Sequence, residues 1–207
     1  MVEQTIVIFP VAMEVTMHSA ARRWVTCAAV AAAISTPLGA ISSDLGYTYA
    51  ELRYLGVQRD EGADADGGTA IGWYRLSDSV FAIGQLIMTE ADNDAEANTV
   101  AAGAGYIHSI DDRWDAVAIG TFRRTEIDAA QDTEKNGYGA QLGLRGMPIP
   151  KLETRAFVNY VDVIDADTSL FVSGDYWFSP QLAAGVAAEV GGDADVYSIG
   201  LRYSFGH

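Results

Sequence analysis

The chain has 207 residues and a formal net charge of −15 at pH 7, from 28 acidic and 13 basic side chains. That balance excludes a nucleic-acid partner, whose phosphates would be repelled. Apolar residues make up 49% of the chain but are scattered, and no run approaches the roughly 18 needed for a membrane-crossing helix. Interleaved with 21 Gly, 10 Tyr and 4 Trp, they suit short strands instead.

The first 42 residues are expected to be an N-terminal extension and export signal. Arg22 and Arg23 form a positive n-region, residues 24–34 an Ala-rich apolar stretch, and Pro37 to Ser42 supply small residues around a cut site. Cleavage after Ser42, with Ala40 three positions before the cut, fits the small-x-small rule, and cleavage after Ala40 is the second option. The paired arginines lack the rest of a twin-arginine motif, so the general secretory route is expected. Residues 1–16 have no role in such a signal, which points to Met13 or Met17 as the start. The single cysteine, Cys27, lies in the apolar stretch. A mature domain of residues 43–207 then has no thiol for disulfides or catalysis.

From there the sequence repeats one rhythm five times: an alternating stretch, an acidic loop, a second alternating stretch and a tight turn. Alternation predicts ten strands. They are Tyr47–Gln58, Gly67–Arg75, Val80–Thr89, Asn98–Ser109, Trp114–Arg123, Asn136–Gly146, Leu152–Val161, Thr168–Phe178, Gln181–Val190 and Asp195–Phe205. The last of these puts Tyr197, Ile199, Leu201, Tyr203 and Phe205 on one face and Ser198, Gly200, Arg202 and Ser204 on the other. Tight turns are expected at Leu76–Ser79, Ile110–Arg113, Met147–Lys151 and Ser179–Pro180, with acidic loops starting near Arg59, Glu90, Arg124, Asp162 and Gly191. Strands of about 9 to 11 residues with turns short on one side and longer on the other predict a single-chain antiparallel transmembrane β-barrel. The expected count is ten strands, with eight as the alternative. An even count places both termini on the short-turn, periplasmic side. Trp114, Trp177 and Phe178, beside short turns, are expected in an aromatic girdle.

Three stretches carry a likeness to a known group: Tyr47-Thr48-Tyr49-Ala50-Glu51, Gly103 to Ile110 with its following Asp-Asp turn, and Gly137 to Gly146. Their order and spacing resemble the opacity-porin-like superfamily of small Gram-negative outer-membrane β-barrels. Within it, the chain is most similar to small acidic-looped barrels described as secreted or vesicle-borne factors. The resemblance covers essentially the whole mature chain and implies no shared catalytic residues. It implies outer-membrane localisation, extending to outer-membrane vesicles, with membrane lipid, lipopolysaccharide and the assembly machinery as partners. Members usually end on an aromatic residue read by that machinery. Here Tyr203 and Phe205 would form the assembly signal, but Gly206 and His207 follow it.

Chemistry is concentrated at one rim. The five loop segments, Arg59–Asp66, Glu90–Ala97, Arg124–Lys135, Asp162–Asp167 and Gly191–Asp195, hold 17 acids and 3 bases, a net −14 of the chain's −15. Asp-x-Asp recurs four times, as Asp64/Asp66, Asp92/Asp94, Asp165/Asp167 and Asp193/Asp195. Such carboxylates could gather divalent cations bridging lipopolysaccharide phosphates. No loop completes a calcium pattern, however, and a solvated, mutually repelling rim is the favoured reading, with no metal site assigned. Inside the barrel, inward positions are predicted for Glu51, Arg53, Arg145, Glu153, Arg155, Asp175, Glu189 and Arg202. Balanced charges in a narrow lumen should pair, plugging it.

Catalysis is not expected. His18 lies in the leader, His207 ends the chain, and His108 abuts a periplasmic turn, with Ser109 on the opposite strand face. Gly67-Gly68 lacks the lysine and helix start of a phosphate cradle, and glycines 103, 105, 137, 139 and 143 read as relief of crowding. No cofactor is predicted. The favoured function is a monomeric structural or surface-interaction barrel. The alternatives are a narrow cation-preferring porin-like channel and a soluble periplasmic ligand-binding β-barrel.

Overall fold

The computed structural model describes residues 45–59, 63–92, 95–128, 133–164 and 166–205. The expected leader with its cut at Ser42, the rim residues Asp94 and Asp165, and the last two residues lie outside them. Ten strands follow one another: β1 (Tyr49–Arg59), β2 (Ala65–Arg75), β3 (Val80–Ala91), β4 (Glu96–Ser109), β5 (Trp114–Asp128), β6 (Thr133–Ile149), β7 (Leu152–Asp162), β8 (Ala166–Trp177), β9 (Leu182–Val190) and β10 (Ala194–Ser204). Each pairs antiparallel with its sequence neighbours, and β10 closes on β1 through a register running from Tyr49↔Ser204 to Arg59↔Ala194. The result is the predicted all-β, ten-stranded closed barrel. Closure satisfies every strand edge, which an apolar outer face demands.

Local chemistry explains the hairpins. At the β4–β5 turn the Asp111 carboxylate accepts from the backbone N–H groups of Arg113 (2.8 Å) and Trp114 (2.9 Å). At β8–β9 the Ser179 hydroxyl accepts from Leu182 N–H at 3.0 Å. Such side chains mimic a backbone turn and stop the strand.

Side-chain parity splits the barrel into two surfaces. On β1, Tyr49, Glu51, Arg53 and Leu55 are buried while Leu52 and Tyr54 are exposed. On β10, Arg202 and Ser204 are buried while Tyr197, Ile199, Leu201 and Tyr203 face out. The outward set continues around the wall through Leu142, Val158 and Val186.

The structure corrects several boundaries. β5 and β6 reach Asp128 and back to Thr133, consuming most of the loop expected at Arg124–Lys135. They hold 15 and 17 residues, more than a tilted crossing requires. Their outer extension is laced by Arg124, which pairs with Glu126 at 2.9 Å and Glu134 at 2.7 Å. The turn expected over Met147–Lys151 shrinks to Pro150–Lys151, because β6 continues to Ile149 through a register shift between Gly146 and Ile149. Pro148 has no N–H to give the ladder, and a bulge is where a strand tolerates it. Tyr47, expected in β1, precedes it. Trp177 does not join a girdle: it shares the parity of buried Asp175, and its indole N–H is buried without a partner. Phe178 and Tyr176 face outward instead, edge-to-face at 5.2 Å.

Candidate functional site

Seven of the eight predicted lumen charges meet at one level, in the short-turn half of the barrel. Strand register brings them close in pairs: Glu51 lies opposite Arg202 on β10, Glu153 opposite Asp175 on β8, and Arg155 opposite Arg145 on β6. Two of these pairs are of like charge, which is unfavourable for direct neighbours. The conflict is resolved across the lumen. Arg202 reaches Glu51 at 2.8 Å, Glu153 at 2.6 Å and Asp175 at 3.1 Å. Arg155 contacts both Glu51 and Asp175 at 3.1 Å, so β7 is tied to β1 on the far side. Arg145 binds Glu153 through two nitrogens, at 2.8 and 3.2 Å. Arg53 is more loosely held, 3.2 Å from Glu51 and 3.6 Å from Asp175. Glu189, the eighth residue, stands apart and accepts from Asn159 at 2.8 Å and from Ser169.

These groups are almost wholly withdrawn from solvent; Arg145 is 0% exposed and Arg202 and Glu153 are 1%. Buried ions cost several kcal/mol each unless every one is met, so such a set is tolerable only as a connected network. Backbone space is made for it. A Cβ on Gly185 would overlap the Asp175 carboxylate, so glycine allows that acid to lie flat against β9.

An aromatic layer seals the same end. Trp73 stacks on Phe81 with centroids 4.3 Å apart and on Tyr49 at 5.2 Å, while Tyr47 lies 5.4 Å from Phe81. Gly105 leaves the space that the Phe81 ring fills. Tyr47 belongs to the segment ahead of β1, where it and Leu45 are buried. Its hydroxyl donates to Asp115 at 2.8 Å, and Arg145 donates to the Gly46 carbonyl at 2.8 Å. The Arg145 guanidinium sits 4.3 Å from the Tyr47 ring centroid, where a π face serves a nitrogen that has no hydrogen-bond partner. Asp115, Trp73 and Phe81 were not singled out from the sequence, and Tyr47 stood there only as a strand start and in the stretch that carries the family likeness. The signal available was parity: Asp115 alternates with Val117 and Ile119, which read as readily as lipid-facing positions.

The outer half of the lumen is different. Thr99 and Thr125 share a hydrogen bond of 2.8 Å, and a cavity of about 360 Å³ opens beside them, with Arg123, Asp167 and Asp193 on its wall. Of the other rim residues, Asp64, Asp66 and Asp92 are exposed and Asp195 is half-buried. Asp64 accepts from the Arg59 N–H and Asp66 from the Tyr54 hydroxyl, both at 3.2 Å. Among the described residues, no three acids, histidines or cysteines gather as metal ligands would. His108 is exposed on the outer surface, opposite Ala116, and Ser109 is opposite Asp115. Tyr203 and Phe205 face outward, edge-to-face at 5.2 Å.

No family model matches the chain, and no curated protein sequence does. Solved structures do. An outer membrane channel from Pseudomonas putida F1 superposes with a TM-score of 0.52 at 10% identity, covering 82% of this chain and 100% of that one. The NanC porin gives 0.48 at 10% identity over 74% of this chain and 100% of its own. The KdgM porin gives 0.43 at 11% identity over 75% and 99%. At 10% identity the first of these speaks to architecture alone: the chain has an outer-membrane β-barrel fold.

Proposed function

We propose that this chain is an outer-membrane β-barrel with a plugged lumen and a structural or surface-interaction role, without catalytic activity. The observation that carries the reading is the cross-lumen network. Arg202 and Arg155 bind carboxylates from β1, β7 and β8 at once, over the aromatic layer of Tyr47, Trp73 and Phe81. An ion entering there must break several buried pairs.

The outward face supports membrane residence. Leu52, Val100, Phe122, Leu142, Val158 and Val186 are each more than half exposed, on six of the ten strands. A soluble barrel rarely leaves more than a few hundred Å² of contiguous apolar surface in water, which disfavours the periplasmic ligand-binding alternative. Tyr203 and Phe205 supply the assembly signal in this reading, and the Asp-rich loops supply a solvated outer rim facing lipopolysaccharide.

The runner-up is a narrow cation-preferring channel. It draws on the acidic rim and on the architecture shared with the Pseudomonas outer membrane channel. Planar-bilayer recording of the detergent-folded protein separates the two. A folded barrel, identified by a band that shifts on boiling, is expected to give no unitary conductance. Discrete cation-selective steps would establish the channel instead.

A further inference from the structure

Above the charged network, the cavity of about 360 Å³ lies at the small end of the range for ligand pockets, roughly 300–1,000 Å³. Its wall combines three chemistries. Val161, Val163 and Ile164 form an aliphatic side. Asp167 and Asp193 supply carboxylates, and they belong together: the Asp167 carboxylate packs against Gly192, next to Asp193, where any Cβ would overlap it. Arg123 supplies the cation. Among the described residues it makes no ion pair within 4 Å, and its Nε is buried without a hydrogen-bond partner. The nearby acid Glu189 is already engaged by Asn159 and Ser169.

A guanidinium on a cavity wall that makes no ion pair marks a place where an acceptor is wanted. A simple anion would meet Arg123 but also two carboxylates and a rim of net −14. A simple cation would meet the carboxylates but also Arg123. A neutral solute would desolvate all three. A molecule with both charges and an apolar part satisfies the whole wall. From this we infer that the outer vestibule is a binding site for small zwitterionic solutes of the apolar α-amino acid class. The carboxylate binds Arg123, the ammonium binds Asp167 and Asp193, and the side chain lies on Val161, Val163 and Ile164. This site lies outside the plug, so it stands whether or not the lumen conducts.

The test is calorimetric titration of the detergent-folded protein with L-leucine, leucinamide and N-acetyl-leucine. Saturable leucine binding is expected, at least tenfold tighter than either analogue, because each analogue lacks one charge. Arg123→Gln should weaken leucine about tenfold and leave leucinamide as tight or tighter, since that cation meets only repulsion from the arginine. Should Arg123→Gln fail to assemble, Asp167→Asn with Asp193→Asn carries the same cycle: leucine weakened and N-acetyl-leucine as tight or tighter. No saturable leucine binding, equal affinity for leucinamide, or an equal loss of both ligands in Arg123→Gln would each overturn the assignment.

Discussion

The charge bookkeeping of the lumen makes an asymmetric prediction. The connected network holds four arginines, 53, 145, 155 and 202, and three carboxylates, Glu51, Glu153 and Asp175. Losing a carboxylate should therefore cost more than losing the loosest arginine. Glu51→Gln keeps the side-chain volume but removes the anion that meets Arg202 at 2.8 Å, Arg155 at 3.1 Å and Arg53 at 3.2 Å. Four buried guanidiniums then face two acids. Removing one partner of a buried pair costs about 3–5 kcal/mol, because the survivor stays desolvated. Arg53→Met instead leaves three of each sign. It gives up a 3.2 Å bond to Ser198 and pairs at 3.2 and 3.6 Å, and its Nη2 already lacks a hydrogen-bond partner. The expected cost is about 1 kcal/mol. With a urea slope of about 2 kcal/mol/M, the two midpoints should differ by about 1.5 M in fluorescence-monitored unfolding from micelles. If Arg53→Met costs as much as Glu51→Gln, the network is not charge-limited. If both cost under about 1 kcal/mol, water screens these groups and the plug is not dry.

Three further outcomes follow from the same packing. Tyr47→Ala removes the ring against Phe81 and the bond to Asp115; a loss of about 3 kcal/mol is expected, read as a lower temperature for conversion to the boiled electrophoretic form. Gly105→Val drives a side chain into the Phe81 ring and should cost about 1–3 kcal/mol, most of it recovered when Phe81→Ala is added; no recovery would mean that the crowding lies elsewhere. Asp64→Asn with Asp66→Asn touches only exposed rim contacts. Folding yield should be unchanged and stability within about 0.5 kcal/mol, and failure to assemble would defeat the solvated-rim reading.

Strand number and hairpin order were legible because lipid imposes a strict alternation on the outer face and the turns carry their own chemistry. The run from Tyr197 to Phe205 shows the first, and Asp111 and Ser179 the second. Strand ends at the outer rim were not legible. Beyond the hydrocarbon, β5 and β6 carry charge on both faces, Arg123 and Lys135 on one and Arg124, Glu126 and Glu134 on the other, and such a pattern reads as loop although the ladder continues. Pro148 misled for a related reason: a proline suggests a turn, and only the neighbouring strand reveals a bulge.

Inside the barrel, alternation could direct Glu51, Arg155 and Arg202 inward, yet it is silent on who meets whom. Arg155 and Glu51 are 104 residues apart and touch only because closure sets β7 across from β1. Apolar residues were more ambiguous still. Trp73 turns in and Tyr74 turns out on the same strand, because hydrophobicity satisfies lipid and a packed lumen alike. Periodicity, a local property of the chain, thus decides that a strand exists and which face is apolar. The contents of the lumen depend on which distant strands the closed ring makes neighbours, and that is a property of the whole barrel.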